Sequence, residues 1–145
     1  MFKLLKKYFS LKKTERKILN RTLFWLIFAL ILVRLIPIKW FSNLLGVFNK
    51  EIKLDLNNKQ LLLISVLQKN IRRLKKRLPW TVKCFEEAIA AKKILEKYNI
   101  KTTIYLGVAK KEEEILIAHA WLKSGDVFIS GRKGHKQHTV VGFYT

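Results

Sequence analysis

The chain has a single cysteine among its 145 residues. Cys84 therefore cannot form an intramolecular disulfide, and a metal site that included it would need ligands of other kinds. A chain without a disulfide framework fits a reducing compartment, and we predict a cytoplasmic location. The sequence also lacks repeats, a phosphate-binding or dinucleotide-binding glycine loop and a serine-nucleophile elbow, so nothing in it supports a nucleotide-dependent enzyme or a serine hydrolase.

Acidic residues are also scarce. Only 10 Asp and Glu oppose 30 Lys and Arg, which gives a formal net charge of +20. Such a balance predicts attraction to an acidic partner, whether nucleic acid, anionic lipid or an acidic peptide. We do not predict nucleic-acid binding, because the basic helix expected over residues 59–78 carries no interleaved aromatics and no known nucleic-acid signature. An anionic membrane surface stays a candidate partner.

Only one long apolar run is present, over residues 23–33, and Pro37 ends its helical pattern. The run is shorter than the ~20 residues that a comfortable membrane span needs. No small-residue cleavage site follows it, so we reject a cleaved signal peptide. A buried or interfacial helix is favoured, and a span over residues 19–38 stays open if Arg34 extends to the interface. The basic segment 1–21 fits either a surface-bound amphipathic helix or a solvated tail.

Cys84 opens the stretch on which the functional argument depends. Pro79 suits a helix start, Thr81 is the predicted N-cap, and an amphipathic helix is expected over residues 82–98, with Asn99 as its left-handed stop. Cys84 would then lie in the first turn, where free N–H groups and the helix dipole favour a thiolate and can stabilise an oxyanion. A cysteine that is simply packed on the apolar stripe is the alternative.

His119 is the second candidate residue. Alternating apolar residues predict strands over residues 101–109 and 115–122, joined by a charged turn at 110–114. His119 shares one face of the second strand with Trp121 and two isoleucines, and we expect that face to receive the cysteine helix. A histidine satisfied within the core is the alternative.

Two further strands are predicted over residues 127–129 and 139–144, with a polar loop at 131–138 between them. His135 and His138 in this loop have a spacing seen in metal sites. No cysteine or carboxylate lies near them to complete such a site, so we predict loop histidines and no metal.

Several stretches together resemble the lasso-peptide leader peptidases. These bacterial B-type maturation proteins have a catalytic domain of the transglutaminase-like cysteine peptidase class, and the likeness covers residues 74–144. The matching stretches are Pro79-Trp80 with Cys84, residues 88–95, Leu106-Gly107-Val108-Ala109, Ala118-His119-Ala120-Trp121-Leu122, Gly125-Asp126, Ser130-Gly131 and Thr139-Val140-Val141 with Phe143.

The resemblance implies an α+β fold with a transglutaminase-like or papain-like core, in which a cysteine-bearing helix packs on an antiparallel sheet. Residues 59–145 would form the peptidase domain, and residues 1–58 a basic, apolar helical region.

The resemblance also implies a catalytic triad of cysteine, histidine and an acid. Cys84 and His119 match directly. Many members have an aspartate where this chain has Ser130-Gly131. Asp126 is the nearest carboxylate and is predicted as the third catalytic residue. A Cys-His dyad, or orientation of the imidazole by Ser130 or by a backbone carbonyl, remains the alternative.

The implied activity is that of a cysteine peptidase, without cofactor or metal, which removes the leader from a ribosomally made lasso-peptide precursor before macrocyclisation. Its implied partners are the precursor peptide, a separate leader-recognition protein and a macrocyclase. The competing interpretation is a non-enzymatic, membrane-peripheral or scaffold protein whose basic N-terminal half binds lipid or a protein partner.

Overall fold

The computed structural model describes residues 6, 8–50, 52, 54–111 and 115–145. Its helices come first along the chain and are α1 (Lys13–Leu35), α2 (Ile38–Leu45), α3 (Asn58–Lys75) and α4 (Cys84–Glu96). The strands follow and are β1 (Thr103–Lys110), β2 (Leu116–Ser124), β3 (Val127–Ser130) and β4 (Thr139–Tyr144), with a short 3-10 helix, His135–Gln137, before β4. This arrangement confirms the α+β prediction.

The four strands form one antiparallel sheet in the order β3-β2-β1-β4. β1 and β2 pair along their whole length, whereas β3 pairs only with the last part of β2, from Leu122 to Ser124. Within the described ranges, the earlier part of β2 therefore has no strand beside it on that edge, which is where His119 lies. Residues 112–114 of the predicted charged turn fall outside the described residues.

Helix ends follow local signals in the sequence. The Asn57 side chain accepts a hydrogen bond from the Gln60 N–H at 2.9 Å, and the Gln60 side chain accepts one from the Asn57 N–H at 3.0 Å. This reciprocal capping box satisfies two N–H groups at the start of α3. Pro37 separates α1 from α2, and Asn99 has a left-handed φ of 55° just after α4. The predicted helix stops at Pro37 and Asn99 are confirmed.

The core lies between α1, α3, α4 and the sheet. α1 buries one face, which consists of Ile18, Thr22, Leu26, Ala29 and Leu32. Ile18 belongs to the same buried apolar cluster as Phe41 of α2, Ile89 of α4 and Leu122 of β2. The expectation that residues 23–33 pack against the rest of the chain is confirmed. The segments before and after the predicted boundary at residue 58 both contribute side chains to this core.

Lys92 fixes the far end of α4 to the segment that leads into β1. Its Nζ donates a hydrogen bond to the Thr102 carbonyl at 2.8 Å. Burial lowers the pKa of Lys92, while the Glu96 carboxylate, 3.7 Å from the ammonium, opposes that shift. α4 is thus held at the end opposite to Cys84, which gives the cysteine a defined position.

Candidate active site

Cys84 is the first residue of α4 and is half-buried. Thr81 is not the N-cap: Lys83 takes that position, so the helix begins two residues later than predicted. The reason is Glu86, whose Oε2 accepts a hydrogen bond from the Lys83 N–H at 3.0 Å and so closes the helix start there. Cys84 still lies in the first turn, as predicted.

Two carboxylates share this first turn, and each has a cationic partner. The Glu86 side chain is fully buried and accepts a hydrogen bond from Arg34 Nε at 3.2 Å, while Glu87 pairs with Lys75 Nζ at 2.5 Å. Arg34 was expected to reach water; its side chain keeps 45% of its surface exposed and also binds Glu86. Both carboxylates in the first turn of α4 are therefore paired with cations.

The His119 ring is oriented by a backbone carbonyl. Its Nε2 lies 2.7 Å from the Gly131 oxygen. A carbonyl can only accept, so Nε2 carries the proton in the neutral ring and Nδ1 keeps its lone pair. Among the described residues, Nδ1 has no hydrogen-bond partner. His119 is therefore oriented so that Nδ1 can act as a base. The Gly131 carbonyl has the orienting role that we predicted for an acidic side chain.

Asp126 does not contact His119. Its side chain is fully exposed, and its nearest cation is Lys123, with 3.9 Å between Oδ1 and Nζ. Asp126 lies in the turn after β2, seven residues beyond His119, and a strand advances ~3.3 Å per residue, so the two lie roughly 20 Å apart along the chain. The prediction of Asp126 as the orienting acid is wrong. The residues between His119 and Asp126 form an extended strand, which carries Asp126 away from the histidine.

We expect Asp126→Asn to leave the reactivity of Cys84 unchanged within about twofold, since an exposed charge this far away acts weakly. The measurement is the rate at which iodoacetamide alkylates the chain, which reports on Cys84 because it is the only cysteine. His119→Ala serves as the comparison and should slow alkylation clearly. A tenfold lower alkylation rate in the Asp126→Asn chain would show that Asp126 does belong to the site.

His119 faces away from α4. Leu122 lies in the core with Ala88 of α4, and side chains alternate along a strand, so His119 and Trp121 occupy the opposite face of the sheet. On that face Trp121 stacks on Tyr105 with 5.7 Å between ring centroids, and the His119 ring lies 5.9 Å from Trp121. The expectation that the face of His119 receives the helix is wrong, because the aromatic rings form a separate layer of their own.

A segment that we call the His loop, residues 131–138, covers this aromatic layer. The His138 ring lies 5.1 Å from the His119 ring, and the His135 ring lies 6.0 Å from Trp121. These two histidines were predicted only as loop histidines, and the structure packs them against the aromatic layer. The glycines in the loop were the signal that it could fold back. Within the described ranges, no group of three or more His, Cys, Asp or Glu is placed to hold a metal ion.

Cys84 and His119 share no hydrogen bond in this structure, because the cysteine helix packs on one face of the sheet and His119 lies on the other. The Cys84 sulfur, like His119 Nδ1, has no hydrogen-bond partner among the described residues. A cavity of about 290 Å³ has Glu87 of α4 and Gly131, whose carbonyl contacts His119, in its lining.

A family model described as the transglutaminase-like superfamily matches residues 32–142, which include Cys84, His119 and most of the sheet. The chain belongs to the transglutaminase-like superfamily. No curated protein and no solved structure matches it. The region of the chain that the family model matches starts within α1, upstream of the boundary predicted at residue 58. Membership agrees with the α+β fold and with cysteine-based acyl-transfer chemistry, as in a peptidase or a transferase.

Proposed function

We propose that this transglutaminase-like protein is a cysteine peptidase that removes the leader from a lasso-peptide precursor before macrocyclisation. The observation that carries the proposal is the 2.7 Å contact between His119 Nε2 and the Gly131 carbonyl. It leaves Nδ1 free to act as the base for the Cys84 thiol. The resemblance of residues 74–144 to the leader peptidases supports the substrate class.

The reaction proceeds by acyl transfer through Cys84. His119 Nδ1 takes the thiol proton, and the thiolate attacks the scissile carbonyl carbon to give a tetrahedral oxyanion. N–H groups at the start of α4 have no partner within the helix and stabilise this oxyanion. Collapse of the intermediate breaks the C–N bond, and the amine of the core peptide leaves with the proton from His119. Water then hydrolyses the leader thioester, with His119 as the base.

The proposal includes partners for the steps before and after cleavage. A separate leader-recognition protein presents the precursor, and a macrocyclase uses the freed amine. The net charge of +20, together with Arg72 and Arg132 at the cavity, favours acidic segments in the bound precursor. We place the reaction in the cytoplasm, where the only cysteine stays reduced.

We expect the chain to cleave a leader-bearing lasso precursor when the leader-recognition protein is present. Mass spectrometry should detect two products, the leader and the core peptide, whose summed mass exceeds the precursor by one water. The control is the same chain after alkylation of Cys84 by iodoacetamide, which should be inactive. Absence of cleavage with all partners present would overturn the leader-peptidase role.

The alkylation experiment separates that failure from failure of the chemistry itself. If the precursor stays intact while alkylation of Cys84 still depends on His119, the thiol–imidazole chemistry stands and the substrate is different. If the rate of Cys84 alkylation is the same with and without His119, the two side chains do not function together. The non-enzymatic interpretation then replaces the peptidase proposal.

A further inference from the structure

α1 has an apolar face that the described part of the chain leaves exposed. Its side chains recur at helical spacing and are 36% to 76% exposed; they are Phe24, Ile27, Phe28, Ile31 and Leu35. They cover a length of roughly 18 Å at ~1.5 Å per residue. Ile36 and Ile38 continue the apolar surface where the chain turns from α1 into α2. An apolar surface of this continuity typically marks a contact with another phase or partner.

Positive charge lies at both ends of this face. Lys17 precedes Phe24 by seven residues and Lys13 precedes it by eleven, so both exposed lysines lie on the same side of α1. At the other end, in the first turn of α2, Lys39 is exposed and Trp40 exposes 75% of its surface. Lysine suits anionic headgroups, and tryptophan is enriched at the level of the membrane interface.

Acidic residues are scarce in the stretch of sequence that contains α1 and α2. Between residues 8 and 50, Glu15 is the only one. A basic rim around an apolar face complements a lipid surface that presents negative charge over an apolar interior. A protein partner would instead need a matching acidic rim around an apolar groove.

The other face of α1 determines how the helix can lie. Leu26 and Ala29 are fully buried, and Arg34 binds Glu86 of α4. Among the described residues, α1 is the one helix long and apolar enough to cross a membrane, with a mean hydropathy of 1.9 over its most apolar 18 residues. Crossing would detach this buried face from α4 and expose the core, whereas lying flat uses only the face that is already free.

We propose that α1 binds in the plane of an anionic membrane surface, through its exposed apolar face and its flanking lysines. Phe24, Phe28 and Ile31 enter the boundary between headgroups and acyl chains, while Lys13 and Lys17 contact the headgroup phosphates. The peptidase domain then stays on the aqueous side with the sheet intact. This inference is independent of the proposed peptidase function.

Flotation of the full chain with vesicles tests the proposal. We expect binding to vesicles of phosphatidylcholine with phosphatidylglycerol, much weaker binding to phosphatidylcholine alone, and release at 1 M salt or by carbonate. Lys13→Glu with Lys17→Glu should lower the partition coefficient by roughly 30-fold or more, from about fivefold per lysine lost. The matched control is Lys97→Glu with Lys101→Glu, two exposed lysines outside α1, which should bind nearly as the unaltered chain.

The apolar part is tested by Ile31→Gln with Leu35→Gln, which should weaken binding about tenfold or more per side chain. Its control is Leu62→Gln with Leu116→Gln, which are 68% and 66% exposed on other elements. An equal loss of vesicle binding in both double variants would show that the chain adheres without a defined face, and this would overturn the proposal. Binding to neutral vesicles that resists salt and carbonate would show a span and would also overturn it. So would self-association through α1 without any vesicle binding.

Discussion

Replacing Cys84 by alanine should abolish cleavage of a leader-bearing precursor and leave the fold intact. The thiol is the only nucleophile that the mechanism uses, so the rate should fall by about a thousandfold or more. The fold should persist because Cys84 is half-buried and begins its helix, and its thiol makes no hydrogen bond within the described residues. We expect the free energy of unfolding to change by less than about 1 kcal/mol.

The measurement pairs precursor cleavage, followed by mass spectrometry, with urea unfolding followed by circular dichroism. Ala88→Gly is the matched comparison, because Ala88 is fully buried one turn further along α4 and should lose stability without losing the thiol. Cleavage that survives Cys84→Ala would remove the cysteine-peptidase proposal. Loss of the fold together with activity would instead support a cysteine that serves packing.

Local signals in the sequence predicted most of the fold. Asn57, Pro37 and Asn99 act through their own side chains or backbone restrictions, so the ends that they define could be read without tertiary information. β4 covers residues 139–144 as predicted, and the ends of the other strands differ from the prediction by at most two residues. The start of α4 was misplaced, because Glu86 closes the helix at Lys83.

The candidate site was less predictable because its contacts are distant in sequence. Glu86 is held by Arg34, 52 residues away, and no periodicity reveals that pairing. The face of His119 could not be assigned either, since β2 carries apolar or aromatic side chains on both of its faces. Which face meets α4 is decided by packing of Leu122 in the core, a property of the whole sheet.

The orienting group is a backbone carbonyl, which we predicted only as an alternative to Asp126. A search for an acid near His119 in sequence leads to Asp126, which belongs to a turn at the other end of β2. Gly131 carried a weak signal, since a glycine after a strand often has a left-handed backbone. In the structure its φ is 69°, and the conformation turns its carbonyl toward His119.

Gly131→Ala should therefore reduce cleavage by roughly a hundredfold or more, the usual size of a lost acid–base contribution. A Cβ at this position would lie 2.4 Å from the Ala120 carbonyl oxygen and 2.7 Å from the Trp121 Cα. Both atoms belong to the backbone of β2, which pairs along its length with β1 and cannot yield. The loop would have to lift, and its carbonyl would leave His119 Nε2.

Gly134→Ala is the matched control for this prediction. Gly134 also has a left-handed backbone, with φ 91°, but a Cβ there meets nothing within 4 Å. Both variants share the backbone strain of about 1 kcal/mol, and only Gly131→Ala adds the clash with β2. Nitrogen-15 NMR of the His119 ring should show the Nε2-protonated form in the unaltered chain and in Gly134→Ala, and a mixture of tautomers in Gly131→Ala. If Gly131→Ala keeps both the tautomer and the rate, the carbonyl does not orient the base; equal losses in both variants would trace the effect to loop strain instead.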